Sequence, residues 1–341
     1  VKKPTLNDVA RIAGVSNATA SRAISKPGSV SPKTRDAVEK AIQKSGYIKN
    51  QAASTLKSKS AGAILVLVPD IENTFFSTLL SGIEKMASRE KISVLIASSN
   101  DDERTENEYL QYVRSGRADG AILLTGRLPQ SLRDKAAGSN GPALNIVTAS
   151  GTIAKRLYPH IGIDDVGAAK RGVEYLQALG HKDIAHVSGP ELSSVTLGRL
   201  DGYHLAMKEA GLVEFQRVFS GDFTIESGER AAGNLLNMSD RPTAVFCAND
   251  EMAIGMISAL RRNHVRVPQD ISIMGFDDIH FAEHSIPSLT TIRQPRLHMG
   301  EQAMITLLAM LNNPSNVEPE VTLLDTELVI RKSTSSIRHS D

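Results

Sequence analysis

The chain has 341 residues, 41% of them hydrophobic, enough for two or three domains with sizeable cores. Its net charge of +1 conceals an asymmetry, because residues 1–60 carry 12 Lys and Arg against 3 Asp and Glu while the remainder carries 27 against 35. A single cysteine, Cys247, excludes an intrachain disulfide framework, no stretch approaches the ~20 apolar residues of a membrane span, and VKKPTLND lacks a signal-peptide core, so a cytoplasmic protein without a membrane partner is expected.

The basic segment contains three short helical patterns and no strand-like run. Thr5 with Asp8 forms a capping-box signature, and Leu6, Val9, Ala10 and Ala13 then fall on one stripe. Gly14 stops this helix. Ser16 caps a second, carrying Thr19, Ala20, Ala23 and Ile24, and Pro27-Gly28 ends it. Ser31-Pro32 opens a third, with Val38, Ala41 and Ile42 inward and Gly46 as its stop. Residues 51–57 hold good helix formers but only one large apolar side chain. Such a short helix is marginal alone, because nucleation is costly.

From residue 61 strands and helices alternate. Strands are expected at 63–68, 93–97, 121–124 and 144–147, with helices at 75–90 and 103–114. A second series starts near 161, with strands at 161–163, 184–187, 245–247 and 271–274 and helices at 166–178, 198–210, 225–236 and 250–262. Continuous apolar runs such as Ala63–Val68 suit strands covered on both faces. Two successive alternating series predict two parallel α/β lobes, with a ligand cleft outside the carboxyl ends of the strands.

The first two helices have the spacing of a helix-turn-helix, with Ala10 allowing close approach, Gly14 at the turn and Val15 as the inner plug. That motif offers the N-terminal end of its second helix to the major groove. Asn17, Ala18 and Arg22 then face bases, since Asn suits an adenine edge and Arg a guanine edge. Thr5, Ser16, Ser21 and Thr34 are positioned for phosphate contacts. For each of these residues the bland alternative is helix capping or solvation.

TLNDVA, AGVS, T-x-SRAI, VSPKTR-x-x-V and GYIKN, matching in identity and spacing over about fifty residues, resemble the DNA-binding head of the lactose-repressor (LacI/GalR) family. The resemblance continues through VLVPDIENTFFSTLLSGIE, GRLDGY, GDFTIESG, VFCANDEMAIG, ISIMGFDD and PSLTTIRQP. It implies an all-α helix-turn-helix head at 1–48, a hinge helix and linker at 49–60, and a periplasmic-binding-protein-like body at 61–341. Lobe 1 would take about 61–160 and 292–323, and lobe 2 about 161–291 and 324–332, with three crossovers near 160, 291 and 323. It also implies double-stranded operator DNA as partner, a homodimer, and a small-molecule effector controlling operator affinity, with no cofactor and no metal. Leu56, with Lys57 beside it, matches the family's minor-groove wedge, which fits an apolar side chain that unstacks and kinks a base step.

Family positions carried onto this sequence place Phe75, Phe76, Arg127, Asp164, Arg199, Phe223, Asn249 and Asp277 at the effector. Arg199 would bond hydroxyls, Asp277 would accept from OH or NH groups, and Phe223 would form a stacking wall. Relatives that bind a purine base carry an arginine where this chain has Ser193, followed by Val195, which argues against a purine base. GRLP at 126–129 and SGDFTIESG at 220–228 resemble a nucleoside-responsive branch, whereas most of the family binds sugars. The effector is therefore expected to be a sugar or a nucleoside.

Two other classes compete. His280-Phe-Ala-Glu-His284 matches the H-x-x-E-H pattern of one metallopeptidase class, but no third zinc ligand is evident from spacing. A solute-binding protein without a regulatory role would explain the body but not the basic head. Cys247, after an apolar strand, reads as core. No enzyme is expected.

Overall fold

A computed structural model of the protein describes residues 4–47, 60–136, 144–151, 157–191, 193–313 and 318–337. The chain divides into two compact units, Val1–Ala61 and Gly62–Asp341. The expected hinge helix, including Leu56 and Lys57, lies outside the described residues.

The head has α1 (Leu6–Ala13), α2 (Asn17–Ser25) and α3 (Pro32–Ser45). Each starts where a side chain can replace a missing helical partner. Thr5 donates from its backbone N and its hydroxyl to Asp8 Oδ2, at 3.0 and 2.8 Å. Ser16 and Ser31 accept from Thr19 N and Thr34 N, both at 3.2 Å. Gly14, at φ 68°, makes the turn in a conformation that would strain most residues. Val15 N then donates to Ala10 O at 3.0 Å, closing the corner. The core is small: Val9, Ala23, Val38 and Ala41 are buried, and Val15 and Ile42 pack against them. Burial of the fully enclosed Val9 contributes about 1.5–3 kcal/mol, a large share for a core of this size.

The body contains two parallel sheets. The first comprises β1 (Ala63–Val68), β2 (Ser93–Ser98), β3 (Ala121–Leu123), β4 (Ile146–Ala149), β5 (His160–Ile163) and β11 (Val321–Leu324), in the order β11-β5-β4-β3-β1-β2. The second comprises β6 (Ile184–Val187), β7 (Arg217–Phe219), β8 (Ala244–Cys247) and β9 (Ser272–Met274), in the order β7-β6-β8-β9. The apolar run of β1 is buried along Ile64–Val68, as a central parallel strand requires.

Helices α4 (Phe75–Arg89), α5 (Glu103–Arg114), α6 (Gln130–Ala136) and α12 (Arg296–Asn312) belong with the first sheet. Helices α7 (Asp165–Ala178), α8 (Ser194–Glu209), α9 (Ile225–Leu236), α10 (Asp250–Arg262) and the short α11 (His280–His284) belong with the second. α4 packs on α12, α7 on α8, and α9 on α10.

One expected strand joins the other sheet. His160–Ile163 does not open the second series but pairs with β4 and β11 in the first sheet, and Ile161 and Ile163 are buried there. The chain crosses between lobes after this strand, between Ile163 and Asp165. It crosses again around the antiparallel pair β10 (Thr291–Arg293) and β12 (Glu327–Val329), the latter reached directly from β11.

Candidate functional site

Two sites follow from this architecture, one on each unit. On the head, Asn17, Ala18, Ser21 and Arg22 occupy one face of α2, at spacings that a 3.6-residue period brings together. Asn17, Ala18 and Arg22 are exposed and Ser21 is half-buried, whereas Ala20 and Ala23 face the core. The Arg22 side chain has no partner among the described residues. Asn17 Nδ2 donates to Asn7 Oδ1, which ties the start of α2 to α1. Thr5, Ser16 and Thr34 all serve in caps, so their hydroxyls fix helix ends; Ser16 and Thr34 pair at 2.9 Å with Thr19 and Ser31.

On the body, a cavity of about 710 Å³ lies between the lobes. Phe75, Phe76, Arg127, Arg199, Phe223, Asn249 and Asp277 all line it, brought from six separate segments of chain. Phe75 and Phe76 start α4, their rings edge to face with centroids 5.1 Å apart. Phe223 forms a wall on lobe 2 from a backbone at φ 68°. Gly189 makes room for it, because a Cβ there would sit 2.3 Å from the Phe223 ring. Asn249 caps α10, accepting from Met252 N and donating to Phe223 O, each at 2.9 Å. Its side chain therefore holds the Phe223 loop in place.

Arg199 organises the floor. Its Nε donates to Asp165 Oδ1 at 3.0 Å and its Nη1 reaches Asp277 Oδ1 at 3.3 Å and Ala248 O. Its guanidinium carbon stands 3.7 Å from the centre of the Phe276 ring. Nη2 has no partner among the described residues, so a nearly buried arginine keeps donors for a ligand. Asp277, at φ 115°, also accepts from Gln294 Nε2 at 2.7 Å. Burial pushes its carboxyl up to about 6, against the opposing pull of Arg199 and Arg296. Burial likewise raises Asp165 and, further, Asp250, which accepts from Thr291 Oγ1 (2.6 Å) on the crossover strand β10.

Asp164 stands outside this constellation. It is exposed and caps α7 by accepting from Gly167 N at 2.9 Å, while its neighbour Asp165 turns inward to Arg199. Of the eight residues expected at the effector, Asp164 is the one that does not line the cavity. Arg127 lines the cavity but is bidentate on Glu106, at 2.8 and 3.4 Å, with Glu106 fully buried. Ser193 and Val195 do line the cavity.

Several lining residues were missed from sequence: Asp70, Glu72, Asp101, Ser194 and Glu251. Asp70 and Asp101 follow the carboxyl ends of β1 and β2, the location where ligands of parallel sheets gather, and that rule points to them. Two contacts cross the cleft. Thr74 donates from its N and its hydroxyl to Glu251 Oε1, at 3.0 and 2.6 Å, and Ser194 Oγ donates to Gly126 O at 3.0 Å.

The competing motifs find no support. His280 and His284 are stacked edge to face, 4.9 Å between ring centres, and no group of three or more potential metal ligands occurs among the described residues. Cys247 is buried, and burial raises its thiol far from the reactive range. Among the described residues no helix is long and apolar enough to cross a membrane.

Comparison with known proteins finds a match in each of the two units. Residues 5–50 match the model of bacterial regulatory proteins of the lacI family, and residues 173–334 match that of a periplasmic binding protein-like domain. The HTH-type transcriptional repressor CytR of Escherichia coli K12 is 38% identical over 98% of this chain and 97% of its own. The crystal structure of the Lac repressor dimer bound to operator and the anti-inducer ONPF superimposes with a TM-score of 0.85 at 30% identity, covering 98% of this chain and all of that one. A complex of the transcriptional regulator CelR with cellobiose gives 0.70 at 29% identity, covering 97% and 99%. The chain belongs to the lacI family of bacterial regulatory proteins.

Proposed function

We infer that the chain is a DNA-binding transcriptional repressor whose affinity for operator DNA is set by a small molecule held between the lobes of its body. It acts as a homodimer in the cytoplasm and is not an enzyme. The observation that carries the regulatory part is Arg199, a nearly buried arginine with unspent donors on the floor of a two-lobed cavity. Its charge is balanced by Asp165 and Asp277, but buried N–H donors left without an acceptor are costly, so a ligand hydroxyl there is favoured.

Residues 1–48 read DNA, 49–60 form the hinge, and 61–341 bind effector and the second copy. Asn17, Ala18 and Arg22 contact base edges; Thr5, Ser16, Ser21 and Thr34 contact phosphates. Leu56 of the hinge enters the minor groove, with Lys57 beside it on the DNA. In the cleft Arg199, Asn249 and Asp277 bond the polar groups of the effector between the Phe75–Phe76 pair and Phe223. Arg127 borders the opposite end. The effector is a sugar or a nucleoside: aromatic walls suit either, the cellobiose complex of CelR supports the sugar, and the GRLP and SGDFTIESG segments support the nucleoside. Binding shifts the population between lobe arrangements, which requires different effector affinity for each.

Selection of sites from a randomised duplex pool by the full chain tests the DNA reading. Enrichment of a two-fold symmetric site is expected, with Arg22→Ala relaxing preference at one position of each half-site by ~1–3 kcal/mol. Leu56→Ala should weaken binding to that site more than binding to random duplex. A pool with no enriched sequence contradicts the reading.

A further inference from the structure

The charge inventory of the cleft identifies the kind of molecule that it takes, given the effector reading above. Among the described residues two cationic side chains line it, Arg127 and Arg199, and both are already matched. Arg127 is held by the buried Glu106 carboxylate. Arg199 lies between Asp165 and Asp277. Among the described residues the lining carboxylates of Asp70, Glu72, Asp101, Glu191, Glu226 and Glu251 have no ion-pair partner. Asp222, also lining, is neutralised by Arg230 at 2.6 Å.

Three of these six acids follow strands of the first sheet. Asp70 and Glu72 follow β1, and Asp101 follows β2 in a loop where Asn100 and Asp101 both take positive φ, 49° and 56°. Asp101 O accepts from Arg127 Nη2, so the loop engages that guanidinium as well as Glu106 does. The unspent Nη2 donors of Arg199 suit a neutral acceptor such as a hydroxyl, because two carboxylates already balance the guanidinium charge. An anion entering this space meets a negative field in a partly enclosed, poorly screened site.

We propose that the cleft selects an effector with no phosphate or carboxylate group, one that directs amino or hydroxyl donors to Asp70, Glu72 and Asp101 and a hydroxyl pair to Arg199. Phosphorylated forms of the same sugar or nucleoside are rejected, so the protein reports the free compound and not its activated form. The reaction that removes the signal is then phosphoryl transfer to the effector.

The test is calorimetric titration of the full chain with matched series: ribose and ribose 5-phosphate; glucose, glucosamine and glucose 6-phosphate; cytidine and cytidine 5′-monophosphate. In any series that binds, the phosphorylated member should be at least thirtyfold weaker than its parent, and the amine at least as tight as its neutral parent. A Glu72→Gln/Asp101→Asn double variant should shrink the phosphate penalty at least fivefold. A phosphorylated member that binds as tightly as its parent overturns the proposal, and so does a penalty unchanged in the double variant. If no compound of any series binds, the sugar-or-nucleoside reading itself falls, and the selectivity with it.

Discussion

Arg199 and Asp277 face each other on the floor of the cleft, Nη1 to Oδ1 at 3.3 Å, with both side chains 5% exposed. One arginine thereby holds two buried carboxylates, Asp165 and Asp277, in fixed positions while part of its own fork stays open to the cavity. Breaking a buried pair is costly because the remaining charge is stranded.

Arg199→Met therefore has two separable effects. The melting temperature falls, by an amount corresponding to about 3–5 kcal/mol for the stranded carboxylates. Effector affinity falls at least ~100-fold as the hydroxyl donors disappear, about 2.7 kcal/mol. Thermal melts and calorimetry read these independently. An unchanged effector affinity removes Arg199 from the site.

The raised Asp277 carboxyl gives a pH signature. In the unfolded chain it titrates near 3.9, and in the folded protein at about 6. Between these values the native state holds more protons, so stability is greatest below the lower value and declines as pH rises through the upper. Melts of the wild type and Asp277→Asn from pH 4 to 7 should converge or cross in that direction, with the wild type losing stability relative to the variant as pH rises. A difference independent of pH contradicts the assignment.

The Thr74–Glu251 contact bridges the lobes across the cleft. Glu251→Ala should raise the effector dissociation rate about tenfold while changing association less, which stopped-flow fluorescence measures. Equal changes in both rates would show that this contact does not act as a closure latch.

β2 ends the six-stranded sheet, and Leu95 and Ile96 are 38% and 47% exposed along it. An apolar sheet edge of this kind is normally covered, and a second copy is the cover that the dimeric reading supplies. Ile96→Glu should turn the dimer into monomer at micromolar concentration in sedimentation and weaken site-specific DNA binding. A variant that remains fully dimeric locates the interface elsewhere.

The head was legible because its signals are local. Thr5, Ser16 and Ser31 begin the helices, Gly14 and Gly46 end them, and each acts within four residues of itself. The body was legible as alternating elements, but not in its wiring. Nothing in an apolar strand such as His160–Ile163 says which sheet it joins, since burial of apolar side chains is non-directional. The cleft was half legible. Side chains in motifs, such as Arg199 in GRLDGY and Asn249 in CANDE, were found. Adjacent acids were not resolved: Asp164 and Asp165 differ by one step of helix phase, and only the fold shows that the second turns inward. Glu106 is buried through its pair with Arg127, which comes from a distant loop, a contact that no local signal announces.

The most direct test of the central claim joins the two sites. The full chain is titrated onto the duplex selected from the random pool, with and without a saturating concentration of the compound that binds in calorimetry. A change in DNA affinity of at least tenfold, about 1.4 kcal/mol of coupling, is expected, and it disappears in Arg199→Met. An operator affinity identical with and without bound compound would show that the cleft does not govern the head.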